Sequence, residues 1–246
     1  MSNSISQAVI LMAGSGSRLR SAGENRLKPL LSFLGRPLIS YTLDTLANAG
    51  IKIIYAVIGF EGRALRAEVA PLIPSSIKVC WIDNPEWRKQ NGISVLAAAP
   101  HVTGPFLLTM GDHLFEQSIV DLLLREAKPD QLNVAVDKKL DSIFDLADAM
   151  KVQMRGDQVV AIGKDLQNYN AMDTGMFVCP RDFFSYIERA KSRSGGSDCS
   201  LADGVRLIAA EGGVRGIDIG DAWWQDVDTP QMLREAEEKL GVLAKN

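Results

Sequence analysis

Cysteine, histidine and aromatic residues are all scarce in this chain of 246 residues. Cys80, Cys179 and Cys199 are odd in number and widely spaced, with no Cys-x-x-Cys pair. That excludes a disulfide framework and a cysteine-based zinc site, and reduced thiols in a cytoplasmic setting are expected. No apolar run approaches the roughly 20 residues that a spanning helix needs. Residues 1–7 lack the charged region and apolar stretch of a secretory leader. Charge is also missing as a one-signed field. The net value is -3, with cations and anions interspersed, so neither nucleic acid nor a membrane surface is expected as a partner. No internal repeat or linker divides the chain, and an apolar fraction of 46% is ample for one core.

Two familiar phosphate motifs are absent as well. The glycine-rich stretch Gly14-Ser15-Gly16-Ser17-Arg18-Leu19 lacks the spacing and trailing lysine of a Walker A loop. Leu19 stands where a dinucleotide fingerprint needs its third glycine, which argues against a dehydrogenase. What is present is a buried apolar strand at 8–12, a small-residue loop, and the cations Arg18 and Lys28. Glycines there let the backbone approach a ligand and present successive N–H groups to an anion. The cations supply charge that no backbone can. Together they make a polyphosphate site.

Alternating patterns predict helices at 35–50, 62–70, 117–127, 181–191, 201–210 and 231–240. Strands are predicted at 51–58, 77–82, 104–110, 132–136 and 171–179, with a hairpin over 151–162 that turns at Arg155-Gly156-Asp157. Strands alternating with helices predict an α/β domain with a Rossmann-like, doubly wound, mostly parallel sheet. Residues 1–130 form its nucleotide-binding half, and 131–246 a β-rich half that binds the second substrate. Asn91-Gly92 reads as a turn, with Ser94 entering a short helix. Gly111-Asp112-His113 closes an apolar strand, so Asp112 is expected in the ligand crevice as a metal-binding carboxylate. His113 offers no zinc spacing. Asp226 and Asp228, two apart on an extended segment, point to one face and need a cation or basic group between them. Asp228-Thr-Pro is also read as capping the final helix, a role that can coexist with metal binding.

The ordered set Gly14-x-Gly16-x-Arg18-Leu19, Lys28-Pro29-Leu30, Asn91-Gly92-x-Ser94, Gly111-Asp112-His113, Ile162-Gly163-Lys164, Tyr169-Asn-Ala-Met-Asp-Thr-Gly175 and Asp226-Val-Asp-Thr-Pro230 resembles the MobA-like/sugar-nucleotidyltransferase superfamily. The likeness runs over essentially the whole chain. The Gly-Asp-His and Ile-Gly-Lys…Tyr-Asn-Ala-x-Asp-Thr-Gly segments look most like CTP:inositol-1-phosphate cytidylyltransferases. There are two departures: Ser17 replaces the commoner threonine, and no proline precedes Lys28.

The resemblance implies a Mg²⁺-dependent transfer of CMP from CTP to a phosphorylated alcohol, most similar to inositol 1-phosphate, with loss of pyrophosphate. It implies Arg18 and Lys28 as catalytic cations and Asp112 and Asp228 as ligands of one Mg²⁺. The nucleotide is expected against Met12, Ala13, Gly14, Ser15, Gly16, Ser17, Asn91, Gly92, Ser94 and Gly111. The acceptor is expected against Lys164, Asp173, Thr174, Gly175 and Asp226, although Lys138 and Lys139 are further candidates for its phosphate. A sugar 1-phosphate, phosphocholine or a phosphonate is the rival acceptor. A nucleotide-binding regulatory module without catalysis is the rival class. Oligomeric state is not readable, and a homo-oligomer stays open.

Overall fold

A computed structural model describes residues 5–142 and 149–243. Met1–Ser4, the start of the segment read above for a leader, lies outside them. The chain opens with β1 (Gln7–Met12), a short α1 (Ser17–Ser21) and a 3-10 turn at Lys28–Leu30. A two-residue ladder, β2 (Ser32–Phe33) with β3 (Arg36–Pro37), precedes α2 (Leu38–Asn48). Then come β4 (Ile53–Ile58), α3 (Gly62–Val69), β5 (Lys78–Asp83), α4 (Asn91–Ala98), β6 (Phe106–Met110), β7 (His113–Phe115) and α5 (Gln117–Glu126). The second half holds β8 (Leu132–Asp137), β9 (Lys151–Arg155), β10 (Gln158–Gly163), β11 (Ala171–Cys179), α6 (Phe183–Arg193) and α7 (Leu201–Ala210). It ends with β12 (Val214–Asp218), β13 (Trp224–Asp226) and α8 (Pro230–Leu243).

Nine strands form one sheet in the order β5-β4-β1-β6-β11-β8-β12-β10-β9. Of these, β10 and β11 run against the other seven. The two halves expected from the sequence therefore share a single sheet. Its parallel part is β5-β4-β1-β6, and its reversal comes at β11. Strand β1 is buried from Ala8 to Met12 because both faces are covered. Val9 and Leu11 pack into the core with α4, α6 and α7, whereas Ala8, Ile10 and Met12 pack into the core with α2, α3 and α5. Side-chain alternation with period two delivers each set to its own layer.

Strand β1 starts the chain, β4 and β5 build outward on one side, and β6 returns on the other. The carboxyl ends of β1 and β6 thus flank the switch point, where open α/β sheets leave a crevice. Leu19, Leu31, Phe33, Leu38, Leu114, Val227 and Ala236 form a third, smaller core. It joins α1, β2, α2, β7 and α8.

One local reading is corrected and one is made specific. Asn91-Gly92 is not a turn; it is the first turn of α4. The Asn91 side chain accepts the Leu201 N–H at 2.8 Å, which supports the start of α7 and draws Asn91 out of loop geometry. The final helix is capped by Thr229, whose hydroxyl accepts the Met232 N–H at 3.2 Å, and not by Asp228. Asp228 is thereby left to its ion pairs.

Candidate active site

The loop after β1 turns at Gly16, whose φ of 65° is left-handed, a conformation that costs glycine little. A Cβ on Gly16 would meet the Lys28 Cβ at 3.4 Å, so loop and lysine stem lie against each other. Arg18 follows in α1, and Lys28 begins the 3-10 turn. On the far side of the crevice, β6 ends at Met110, and Gly111-Asp112 lead into β7. The Gly111 N–H donates to the Leu11 carbonyl at 3.0 Å, which locks the two loops together.

Asp228 arrives from more than a hundred residues away by a short ladder. Strand β13 pairs with β7, setting Asp226 opposite His113, and the Val227 N–H donates to the Asp112 carbonyl at 3.0 Å. The carboxylates of Asp112 and Asp228 then meet at one ammonium. Lys28 Nζ lies 2.5 Å from Asp112 Oδ2 and also contacts Asp228 Oδ1. Arg18 binds the other oxygen of Asp228. Two cations and two carboxylates form one linked set of ion pairs.

The electrostatics follow from that packing. Burial alone would lower the Lys28 pKa, but the charges of Asp112 and Asp228 outweigh it and hold the ammonium protonated. Burial would raise Asp112, yet Lys28 and His113 force it well below the usual carboxylate range. His113 donates Nδ1–H to Asp112 Oδ1 at 2.7 Å; despite burial, that bond raises its pKa. Among the described residues no cation pairs with Asp226, and burial raises its carboxyl above the ordinary value.

His113 is held on two sides. Its ring stacks on Trp224 with centroids 6.3 Å apart and planes 18° apart, and it covers the Cα of Gly175. A Cβ on Gly175, where φ is already 75°, would meet His113 Nε2 at 2.5 Å. The Trp224 indole N–H donates to Asp137 at 2.9 Å, and Lys139 Nζ binds the other oxygen of that carboxylate at 2.9 Å. None of His113, Trp224, Asp137 and Lys139 was legible as a connected set, because strand β11, the β13 ladder and β8 bring them together only in space.

A cleft of about 1380 Å³ opens along this face. Ala13, Gly14, Arg18, Asn91, Ser94, Asp112, Lys164, Asp173, Gly175 and Asp226 all line it. A smaller recess of about 470 Å³ holds Met12, Ser15, Gly16, Ser17, Lys28 and Gly111, with Asp112 and Asp228 shared between the two. Two expected residues face elsewhere. Gly92 abuts the Cys199 carbonyl, which an added Cβ would approach to 2.6 Å. Thr174 lies on the opposite face of β11 from Asp173 and donates its hydroxyl to the Ala135 carbonyl at 3.0 Å.

Asp173 accepts the Gly175 N–H at 2.8 Å, and burial pushes its carboxyl up to about 7. An acid raised on folding binds its proton more tightly in the native state. Stability therefore falls as pH rises from about 4, the unfolded value, to about 7. Asp173→Asn keeps the acceptor oxygen and removes the charge. Thermal melts should show its Tm gain over the parent growing between pH 5 and pH 8, by about 2–4 °C for each 1 kcal/mol relieved. An equal offset at both pH values would contradict the assignment.

Among the described residues, no group of three or more His, Cys, Asp or Glu side chains is arranged to hold a metal. The donor chemistry of the carboxylate pair nonetheless fits a hard cation. Asp112 and Asp228 present oxygens to one positive centre, and one or two carboxylates are what Mg²⁺ takes alongside phosphate and water.

No helix among the described residues is long and apolar enough to cross a membrane. By sequence, the chain is 36% identical over 95% of its length to the Bifunctional IPC transferase and DIPP synthase of Rubrobacter xylanophilus. It is 29% identical over 94% of its length to the CMP-5'-(3-aminopropyl)phosphonate synthase of Streptomyces rubellomurinus. The chain spans 51% of the first of these relatives and 38% of the second. In structure it resembles the inositol-1-phosphate CTP transferase from T. maritima, with a TM-score of 0.84, 27% identity and 98% of each chain covered. Residues 8–200 match the MobA-like NTP transferase domain, and the protein belongs to that family.

Proposed function

We propose that the protein joins CMP from CTP to inositol 1-phosphate, giving CDP-inositol and pyrophosphate. The observation that carries this reading is the meeting of Arg18, Lys28, Asp112 and Asp228 at the mouth of the phosphate loop. Likeness to the T. maritima enzyme over the full chain supports the choice of substrates. An oxygen of the acceptor phosphate attacks the α-phosphorus. A new P–O bond forms, the bond from the α-phosphorus to the bridging oxygen breaks, and pyrophosphate leaves with that electron pair. The nucleophile is anionic near neutral pH and needs no strong base, so the barrier lies in assembling anions in line.

Each residue answers that need. Backbone N–H groups at Gly14–Ser17 and the cations of Arg18 and Lys28 receive the triphosphate. Lys28 would exchange carboxylate contacts for phosphate oxygens, and Asp112 and Asp228 would be the residues to hold Mg²⁺. When bound there, Mg²⁺ would offset charge on the triphosphate. Ala13, Asn91 and Ser94 frame the base, for which a pyrimidine is the expected occupant. Gly92 contributes through the backbone path that it permits, and Thr174 through the placement of its neighbours. Lys164, Asp173, Gly175 and Asp226 face the acceptor. The alternative acceptor is a phosphonate, which the Streptomyces relative favours.

The test crosses each nucleoside triphosphate with a panel of acceptors: inositol 1-phosphate, glucose 1-phosphate, phosphocholine and an aminoalkylphosphonate. Pyrophosphate release should be fastest with CTP and inositol 1-phosphate. Equal or better rates with ATP or GTP would defeat the pyrimidine assignment. Tight CTP binding without turnover on any acceptor would favour a regulatory module.

A further inference from the structure

Two cations of the phosphate recess are already engaged, Arg18 by Asp228 and Lys28 by Asp112 and Asp228. Their two charges cancel those of the two carboxylates. From these four side chains, with any metal left out of the count, a triphosphate would meet no net positive charge. Arg88 is placed to supply it. It lines the same recess beside Ser15, Gly16 and Ser17, and no carboxylate partner is found for it among the described residues. The adjacent Glu86 is taken by Lys89.

The Arg88 guanidinium lies over the Trp87 ring, 4.3 Å from its centroid. Trp87 is itself fixed by an edge contact with Phe60, at 5.1 Å between centroids. Stacking engages the flat face of a guanidinium and leaves its N–H edge free for oxygen anions. It also limits the rotamer freedom that a surface arginine would lose on binding phosphate.

We propose that Arg88, held on the Trp87 ring, is a further phosphate-binding residue that takes the β- and γ-phosphates, the pair that departs as pyrophosphate. This rests on the nucleotidyl transfer proposed above. The recess, and not the larger cleft that holds the base and acceptor, is where Arg88 opens.

Calorimetric titration of the whole protein with inorganic pyrophosphate, and separately with CMP, both in Mg²⁺, tests the assignment. Arg88→Gln, an exposed substitution, should weaken pyrophosphate binding by about tenfold and leave CMP within about twofold. Arg88→Lys keeps the charge without the planar fork and should fall between. Unchanged pyrophosphate affinity in Arg88→Gln would overturn the proposal, as would an equal loss for CMP. A parent protein that binds neither ligand would overturn both this assignment and the function beneath it.

Discussion

Lys28→Ala should lower turnover by about 10³-fold with the fold intact, since removing one preorganised charge from a developing anion costs about 10²–10³, and this lysine serves two carboxylates besides. Without the ammonium, Asp112 and Asp228 face each other across a gap, and their mutual repulsion replaces two ion pairs. Steady-state rates together with thermal melts separate the two effects. The depressed Asp112 acid contributes stability above about pH 4, which is lost as pH falls through its folded value. In the alanine variant that acid-side loss should shrink. Near-normal turnover in a folded variant would remove Lys28 from the mechanism.

Asp112→Asn and Asp228→Asn should each abolish Mg²⁺-dependent turnover, and Asp226→Asn should retain part of it. The ranking follows from contact. Asp112 and Asp228 share one cation, whereas Asp226 lies beside them with a carboxyl raised by burial. Mg²⁺ holds one or two carboxylates and keeps its remaining positions for phosphate and water, which leaves no place for a third. Rates measured against Mg²⁺ concentration decide the matter. Equal losses in all three variants, or normal activity in Asp112→Asn, would contradict the pairing.

Much of this architecture is written locally. The apolar run that became β1, the hairpin of β9 and β10, strand β11 and helix α7 all carry their own periodicity and punctuation, and they appear where the pattern put them. Local pattern also put Asp112 just past the end of a buried strand and pointed to the glycine loop as the place for an anion. The placement of Lys28 between the carboxylates is different in kind. It depends on a three-residue ladder of β13 with β7, too short to leave a periodic trace, and on the small core around Leu114 and Val227. The start of α4 was hidden because Asn-Gly signals a turn when read alone. Its helical state is stabilised by a tertiary bond to Leu201, more than a hundred residues later. His113 was legible only as a neighbour of Asp112. Its wall of Trp224 and Gly175 comes from two other strands.

The most direct measurement follows phosphorus itself. The protein, Mg²⁺, CTP and inositol 1-phosphate are incubated together and the products resolved by ³¹P NMR. Pyrophosphate and a new phosphoanhydride diester should appear in equal amounts, the latter with the mass of CDP-inositol. CTP left intact, or pyrophosphate formed with CMP and unchanged inositol 1-phosphate, would contradict the proposed transfer.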